Sequence, residues 1–159
     1  MPSARLEAAG LALRRAGPDD RDAVVALQRA AYARNRALLG REPLPLLAGY
    51  EQIFRDYEVW LAVRGGLAGA LILEPRQEDL LIWSIATDPE RQSNGLGKAM
   101  LAAAETRARK LGLGTMRLYT GATLQHLIDW YGRHGYVVER IEQLSDRAIT
   151  HMMKRLDTN

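Results

Sequence analysis

The sequence predicts an α/β domain, with helices on both faces of a mixed β-sheet. Two observations predict it. Apolar runs of strand length alternate with amphipathic helical stretches, in the order β-α-α-β-β-β-α-β-α-β-β. A strand–helix–strand passage from Leu80 to Thr120 then demands a parallel crossover, while the runs before it are joined by short turns that leave neighbours antiparallel. At 159 residues, 47% hydrophobic and 26% charged, the chain suits one domain with a substantial core.

Each element has its own signal. Residues 1–10 read as a frayed N-terminal extension, and residues 11–156 as the domain. Leu11 to Ala16 alternates as a first strand. Gly17-Pro18-Asp19-Asp20 then opens a helix with Pro near its first position and acids in its first turn. Val24, Leu27 and Ala31 share one face of that helix. From Arg34 to Leu47 the pattern is less regular, because Gly40, Pro43 and Pro45 break any long helix. Leu47 to Asp56 reads as a second helix, with Tyr50, Ile53, Phe54 and Tyr57 at helical spacing. Val59–Arg64 and Leu67–Leu73 flank Gly65-Gly66, a hairpin signal.

Leu80 to Thr87 is nearly continuously apolar, as a strand buried on both faces should be. A helix runs from Gly95 to Leu111, stopped by Gly112. Thr115–Thr120 is a strand and Thr123–His134 a helix stopped by Gly135. Tyr136–Glu142 and Ile149–Lys154 are closing strands around Ser145-Asp146-Arg147.

Several functions are bounded by composition. No cysteine is present, which excludes an enzyme-cysteine acyl intermediate and a disulfide framework. No transmembrane run or signal-peptide core is visible, so a cytoplasmic protein without a membrane partner is expected. The net charge of +3 favours an anionic ligand mildly. No stripe of arginine and lysine interleaved with aromatics supports nucleic-acid binding.

The chemistry concentrates in Asp88-Pro89-Glu90-Arg91-Gln92-Ser93-Asn94-Gly95-Leu96-Gly97-Lys98, between the apolar strand and its helix. Such a turn presents free backbone N–H groups at a helix N-terminus, where the dipole favours a phosphate. It is not a Walker loop: one residue separates Gly95 from Gly97, and Ala99 follows Lys98. The dinucleotide pattern fails as well, since Met100 replaces its third glycine.

Gln92-x-x-Gly95-x-Gly97 does match the pyrophosphate motif of the GCN5-related N-acetyltransferases (GNAT). Ile85-Ala86-Thr87-Asp88-Pro89 resembles that family's strand-end L-x-V-x-P. Leu118-Tyr119-Thr120 with Tyr131-Gly132-Arg133-His134-Gly135-Tyr136 resembles its closing segment, and Leu13 to Asp20 its usual start.

The resemblance implies a GNAT-like fold, antiparallel in its first half, whose parallel central strands splay apart around an acyl-pantetheine arm. It implies acetyl-CoA as co-substrate, no metal, and direct transfer to a primary amine of a small molecule or peptide. The pyrophosphate would be held by Gln92, Ser93, Asn94, Gly95, Leu96, Gly97 and Lys98, with Arg91 near a phosphate or only solvent. The pantetheine arm would pair with Ile85, Ala86 and Thr87, and an N–H near Ala86 would meet the oxyanion. Tyr131 would protonate the leaving thiolate.

There are departures too. Trp83-Ser84 stands where many relatives carry a glutamate base. Ser84 with a water, Tyr50, Glu51, His126 and His134 are therefore open alternatives. Gly121, Leu124 and Leu127 stand where asparagines often contact the cofactor arm. A degenerate acyl-CoA-binding module is the alternative reading, and a homodimer is compatible with the family.

Overall fold

The computed structural model describes residues 5–91 and 95–157. Its elements are β1 (Arg5–Ala8), β2 (Leu11–Arg15), α1 (Arg21–Leu39), α2 (Leu44–Leu47), α3 (Tyr50–Asp56), β3 (Glu58–Val63), β4 (Leu67–Pro75), β5 (Leu80–Thr87), α4 (Leu96–Lys110), β6 (Thr115–Gly121), α5 (Gln125–Arg133), β7 (Val137–Gln143) and β8 (Ala148–Arg155). Among the described residues the strands form one sheet in the order β1-β2-β3-β4-β5-β6-β8-β7. β1 to β5 are antiparallel, β5 and β6 parallel, and β6, β8 and β7 antiparallel. This is the mixed, half-antiparallel sheet that the element order implies. No helix among the described residues is long and apolar enough to cross a membrane.

Strand alternation sends side chains to two faces. Leu71, Leu73, Leu80 and Ile82 join Met100, Ala103 and Ala104 of α4 in one core. Ala70 and Ile72 join Val24, Leu27, Tyr50 and Ile53 of α1 and α3 in the other. Each fully buried Leu, Ile or Met is worth roughly 1.5–3 kcal/mol. On the first face α4 lies very close to β4: a Cβ on Gly69 would come within 3.0 Å of the Met100 sulfur.

Two expectations are corrected. Residues 5–8 are not a frayed extension. They pair with β2, from Arg5 opposite Arg14 to Ala8 opposite Leu11, and Leu6 is only 1% exposed in the α4-side core. The tight turn holds Ala9 and Gly10, both left-handed at φ 52° and 77°. That backbone suits a two-residue hairpin turn, but an alanine in it is no turn signal. The expected irregularity from Arg34 is also wrong over its first part. α1 continues through Arg36, Ala37, Leu38 and Leu39, all good helix formers, until Gly40 caps it at φ 70° with its N–H on the Arg36 carbonyl.

Candidate functional site

β5 and β6 are joined over three residue pairs only, Leu80–Ile82 against Met116–Leu118. β5 continues to Thr87 and β6 to Gly121 without pairing each other, so the strands part. The parting coincides with a bulge. Ile72 opposes Ser84 but Leu73 opposes Ile82, leaving Trp83 as the extra residue. The bulge sends two successive side chains towards α1 and α3. Trp83 meets the rings of Tyr50 and Tyr57 edge-on, at 6.2 and 5.9 Å. Ser84 Oγ lies 2.8 Å from the Tyr32 hydroxyl and accepts from Gln28 Nε2 at 3.1 Å.

The gap holds a cavity of about 280 Å³, lined in part by Ile85, Ala86, Thr87, Tyr119, Tyr131 and Tyr32. From Ser84 to Thr87, β5 pairs with β4 on one edge only. The ladder also shows which amides are free. Asp88 donates its N–H to the Ala68 carbonyl at 2.8 Å, so Ala86, two residues earlier in the same register, also turns its peptide groups to β4. The peptide groups of Ile85 and Thr87 therefore face the gap. An oxyanion donor near Ala86 comes down to these two neighbours rather than to Ala86 itself.

At the far end of β5, α4 begins. Gly95 caps it at φ 89°, in the left-handed region where glycine costs least, and no acid stands in the first turn to cancel the dipole. Leu96 is buried and anchors the helix start, while Lys98 is exposed. The first-turn amides of Leu96, Gly97 and Lys98 have no intrahelical acceptor. Gln92, Ser93 and Asn94 lie outside the described residues, as does the Arg91 side chain. The unpaired β5 edge borders the cavity, and this uncancelled helix start follows β5 in sequence. Gly97 faces the ring of Trp130, which packs on the cavity-lining Tyr131.

Tyr131, on α5, lines the cavity and is 9% exposed. Its ring packs edge-on against Trp130 and Tyr136, which fixes its direction. Its hydroxyl has no hydrogen-bond partner among the described residues. Burial, with the nearby Tyr32 hydroxyl adding to it, pushes its pKa well up, so it stays protonated at neutral pH.

The candidate bases fare differently. His134 turns its Nδ1 to the Trp130 carbonyl at 2.7 Å and stacks on Trp130, outside the cavity. Glu51 is exposed and pairs with Arg21. The Tyr50 hydroxyl accepts from Gln28 and donates to the Pro45 carbonyl, and burial pushes its pKa to about 12. Ser84 is buried and committed to Tyr32 and Gln28. His126 is exposed at the cavity rim. No carboxylate lines the cavity among the described residues.

Leu124 and Leu127 line the gap as apolar wall. Gly121 has a steric reason: a Cβ there would lie 2.9 Å from Leu39 Cδ2 of α1 and 3.2 Å from Leu124 Cδ1. α1 also brings Gln28, Tyr32 and Asn35, which the sequence reading did not single out. Their signal was present, as polar residues at i, i+4 and i+7 on one side of a helix.

The fold is shared with known structures. It superposes with a TM-score of 0.72 on a GCN5-related N-acetyltransferase from Rhodopseudomonas palustris, at 18% identity over 98% of this chain and 99% of that one. With PaiA N-acetyltransferase from Thermoplasma acidophilum, solved in complex with coenzyme A, the TM-score is 0.69, at 19% identity over 90% and 97%. In sequence, the chain is 31% identical over 77 residues to the uncharacterized N-acetyltransferase YvbK of Bacillus subtilis. That match covers 48% of this chain and 50% of the relative's length. The family model of the acetyltransferase (GNAT) family matches residues 24–136, well over half of the sequence. The chain with the splayed strands therefore belongs to the acetyltransferase (GNAT) family.

Proposed function

We propose that the protein transfers an acetyl group from acetyl-CoA to a primary amine of a small molecule or peptide, directly, in a ternary complex. One observation carries this reading. The gap-facing edge of Ile85 and Thr87 and the Tyr131 hydroxyl, unpartnered among the described residues, line a single gap, and the helix start at Gly95 follows β5 in sequence.

Each part has a task. The β5 edge pairs with the extended arm as an added strand would. The amides of Gly95, Leu96, Gly97 and Lys98, with the adjoining Gln92, Ser93 and Asn94, take the pyrophosphate. The amine nitrogen attacks the thioester carbon. The carbonyl oxygen, as it gathers charge, meets an N–H of Ile85 or Thr87. The carbon–sulfur bond breaks with its electron pair on sulfur, and Tyr131 gives that sulfur a proton. A thiol has a reference pKa near 8.5 and a tyrosine near 10. The raised pKa of Tyr131 keeps the donor loaded. With no carboxylate lining the cavity among the described residues, the amine attacks as its free base, the proton its nitrogen sheds as the amide forms passes to solvent at the rim, and Tyr131 takes back a proton from solvent.

A non-catalytic acyl-CoA binder is favoured by one observation, the same missing carboxylate. The experiment has two stages. Thermal unfolding is titrated with acetyl-CoA, CoA and ATP, and ligand at about one hundred times its Kd adds roughly 2.7 kcal/mol. CoA release is then followed over a panel of amines. Stabilisation by both CoA species with release supports the transferase, and stabilisation without release supports the binder. No stabilisation sinks both.

The reading takes the protein to work in the cytoplasm, where acetyl-CoA is held. It includes a homodimer through β7, the sheet's last strand, where Ile141 is 65% exposed. Antiparallel pairing centred on Ile141 sets Arg140 of each copy opposite Glu142 of the other. Sedimentation velocity at micromolar concentration decides it.

A further inference from the structure

α1 lies across the opening of the gap and is attached on both sides of it. Gln28, Tyr32, Asn35 and Leu39 form one row at i, i+4, i+7 and i+11. At one end Gln28 and Tyr32 bond Ser84 of β5. At the other end Leu39 presses on Gly121 of β6. Asn35 stands between these attachments, over the gap itself.

Asn35 is 8% exposed, lines the cavity, and makes no side-chain hydrogen bond among the described residues. No fully enclosed side-chain nitrogen or oxygen among those residues lacks a partner, so its amide opens into the cavity. An amide open to a cavity exchanges a hydrogen bond with water for one with a ligand that enters. Asn35 offers two N–H donors and one carbonyl.

The surrounding wall limits what that ligand is. Tyr32, Leu39, Leu44, Tyr119 and Ile149 make it aromatic and aliphatic. No carboxylate among the described residues faces in, so a second cationic centre would leave water and meet no anion there. The one guanidinium on the wall among the described residues, Arg147, is held by Asp146 and the Glu42 carbonyl, and it only donates. Among the described residues the polar side chains of the wall either donate or do both, and none is an acceptor alone, so a carbonyl entering beside Asn35 finds a donor.

We propose that Asn35 selects the acceptor: an amine with one cationic centre, an apolar body and a carbonyl that takes a hydrogen bond from the Asn35 amide. Amino-acid amides and peptide N-termini share this chemistry. The inference rests on the acetyl-transfer reading and names the substrate class of that site.

The test follows CoA release with leucinamide, a leucine-led dipeptide, isoamylamine and 1,5-diaminopentane. The wild type is compared with Asn35→Leu and Asn35→Asp. In the wild type, at least one carbonyl-bearing acceptor exceeds isoamylamine and the diamine about ten-fold or more in kcat/KM. The ratio of dipeptide to leucinamide separates a peptide end from a free small amide. Asn35→Leu removes that advantage, read as a ten-fold or greater fall in the kcat/KM ratio of the carbonyl-bearing acceptor to isoamylamine. Asn35→Asp shifts preference towards the diamine, and it carries the test alone if Asn35→Leu fails to fold. A wild-type preference for the diamine overturns the proposal, as does equal loss on isoamylamine. If no amine releases CoA, the transferase reading fails by itself. Calorimetric binding of leucinamide to the CoA-loaded protein then decides the present one: ten-fold weakening in the Asn35 variants supports it, and no change overturns it.

Discussion

The two faces of the sheet are built from different material. On the α4 face, Met100, Leu101, Ala103 and Ala104 meet Leu71, Leu73 and Ile82 in an apolar core. On the α1 face, a buried polar chain runs from the Pro45 carbonyl through Tyr50, Gln28 and Ser84 to Tyr32. Apolar packing is non-directional and sets how firmly the layers hold together. Hydrogen bonds are directional, and a fully satisfied network fixes where side chains point. The first face chiefly holds the sheet. The second aims α1 at the gap.

That contrast can be broken. The largest effect is expected from Met100→Ala on the α4 face, where the side chain is fully buried. It should cost about 2–5 kcal/mol, read in denaturant unfolding, while the folded fraction keeps its turnover. Lost turnover at intact stability would end the division of labour. Next, Tyr131→Phe should lower kcat ten-fold or more, about 1.4 kcal/mol in the barrier, and leave acetyl-CoA affinity nearly unchanged. Unaltered kcat removes Tyr131 from the chemistry.

Ser84→Ala on the α1 face should cost about 1 kcal/mol of stability and raise KM for the amine several-fold, because Tyr32 loses its anchor. A purely structural Ser84 leaves KM alone.

The smallest effect concerns pH. Burial alone would raise the Asp79 carboxyl, but hydrogen bonds from Arg76 and Arg117 bring it below its ordinary value. Glu58 is lowered against its own burial by Arg107 and Trp60. A lowered folded-state pKa means stability that is present above about pH 4 and lost as pH falls through the lowered values. Unfolding free energy should therefore drop below pH 4. In Asp79→Asn the curve should be flatter.

The same contrast explains what the sequence disclosed. The strand from Leu80 to Thr87 and the α4 helix were legible because apolar runs and glycines state their roles locally. The place of Tyr131 on a helix stopped by Gly135 was legible, and the structure puts its ring on the buried side of that helix. β1 was not, because Ala9 occupies a left-handed turn that alanine seldom marks. Gln28, Tyr32 and Asn35 were not, because polar residues on a helix look solvated until the helix is known to lie over a gap. Gly121 looked like a missing asparagine, and only the approach of Leu39 shows that a side chain there would have to push a leucine aside.

The three-pair contact between β5 and β6 has a mechanical consequence. It is a seam, and on one side of it stand five strands, on the other three. On the proposed reading, an extended molecule that enters the parted end would act as a temporary strand, sewing the two plates together where the protein's own stitching stops. The peptide groups of Ile85 and Thr87 then gain partners that those of Ala86 already have. In deuterated solvent the first two should exchange freely until the gap is filled, so binding would show itself as the closing of a seam.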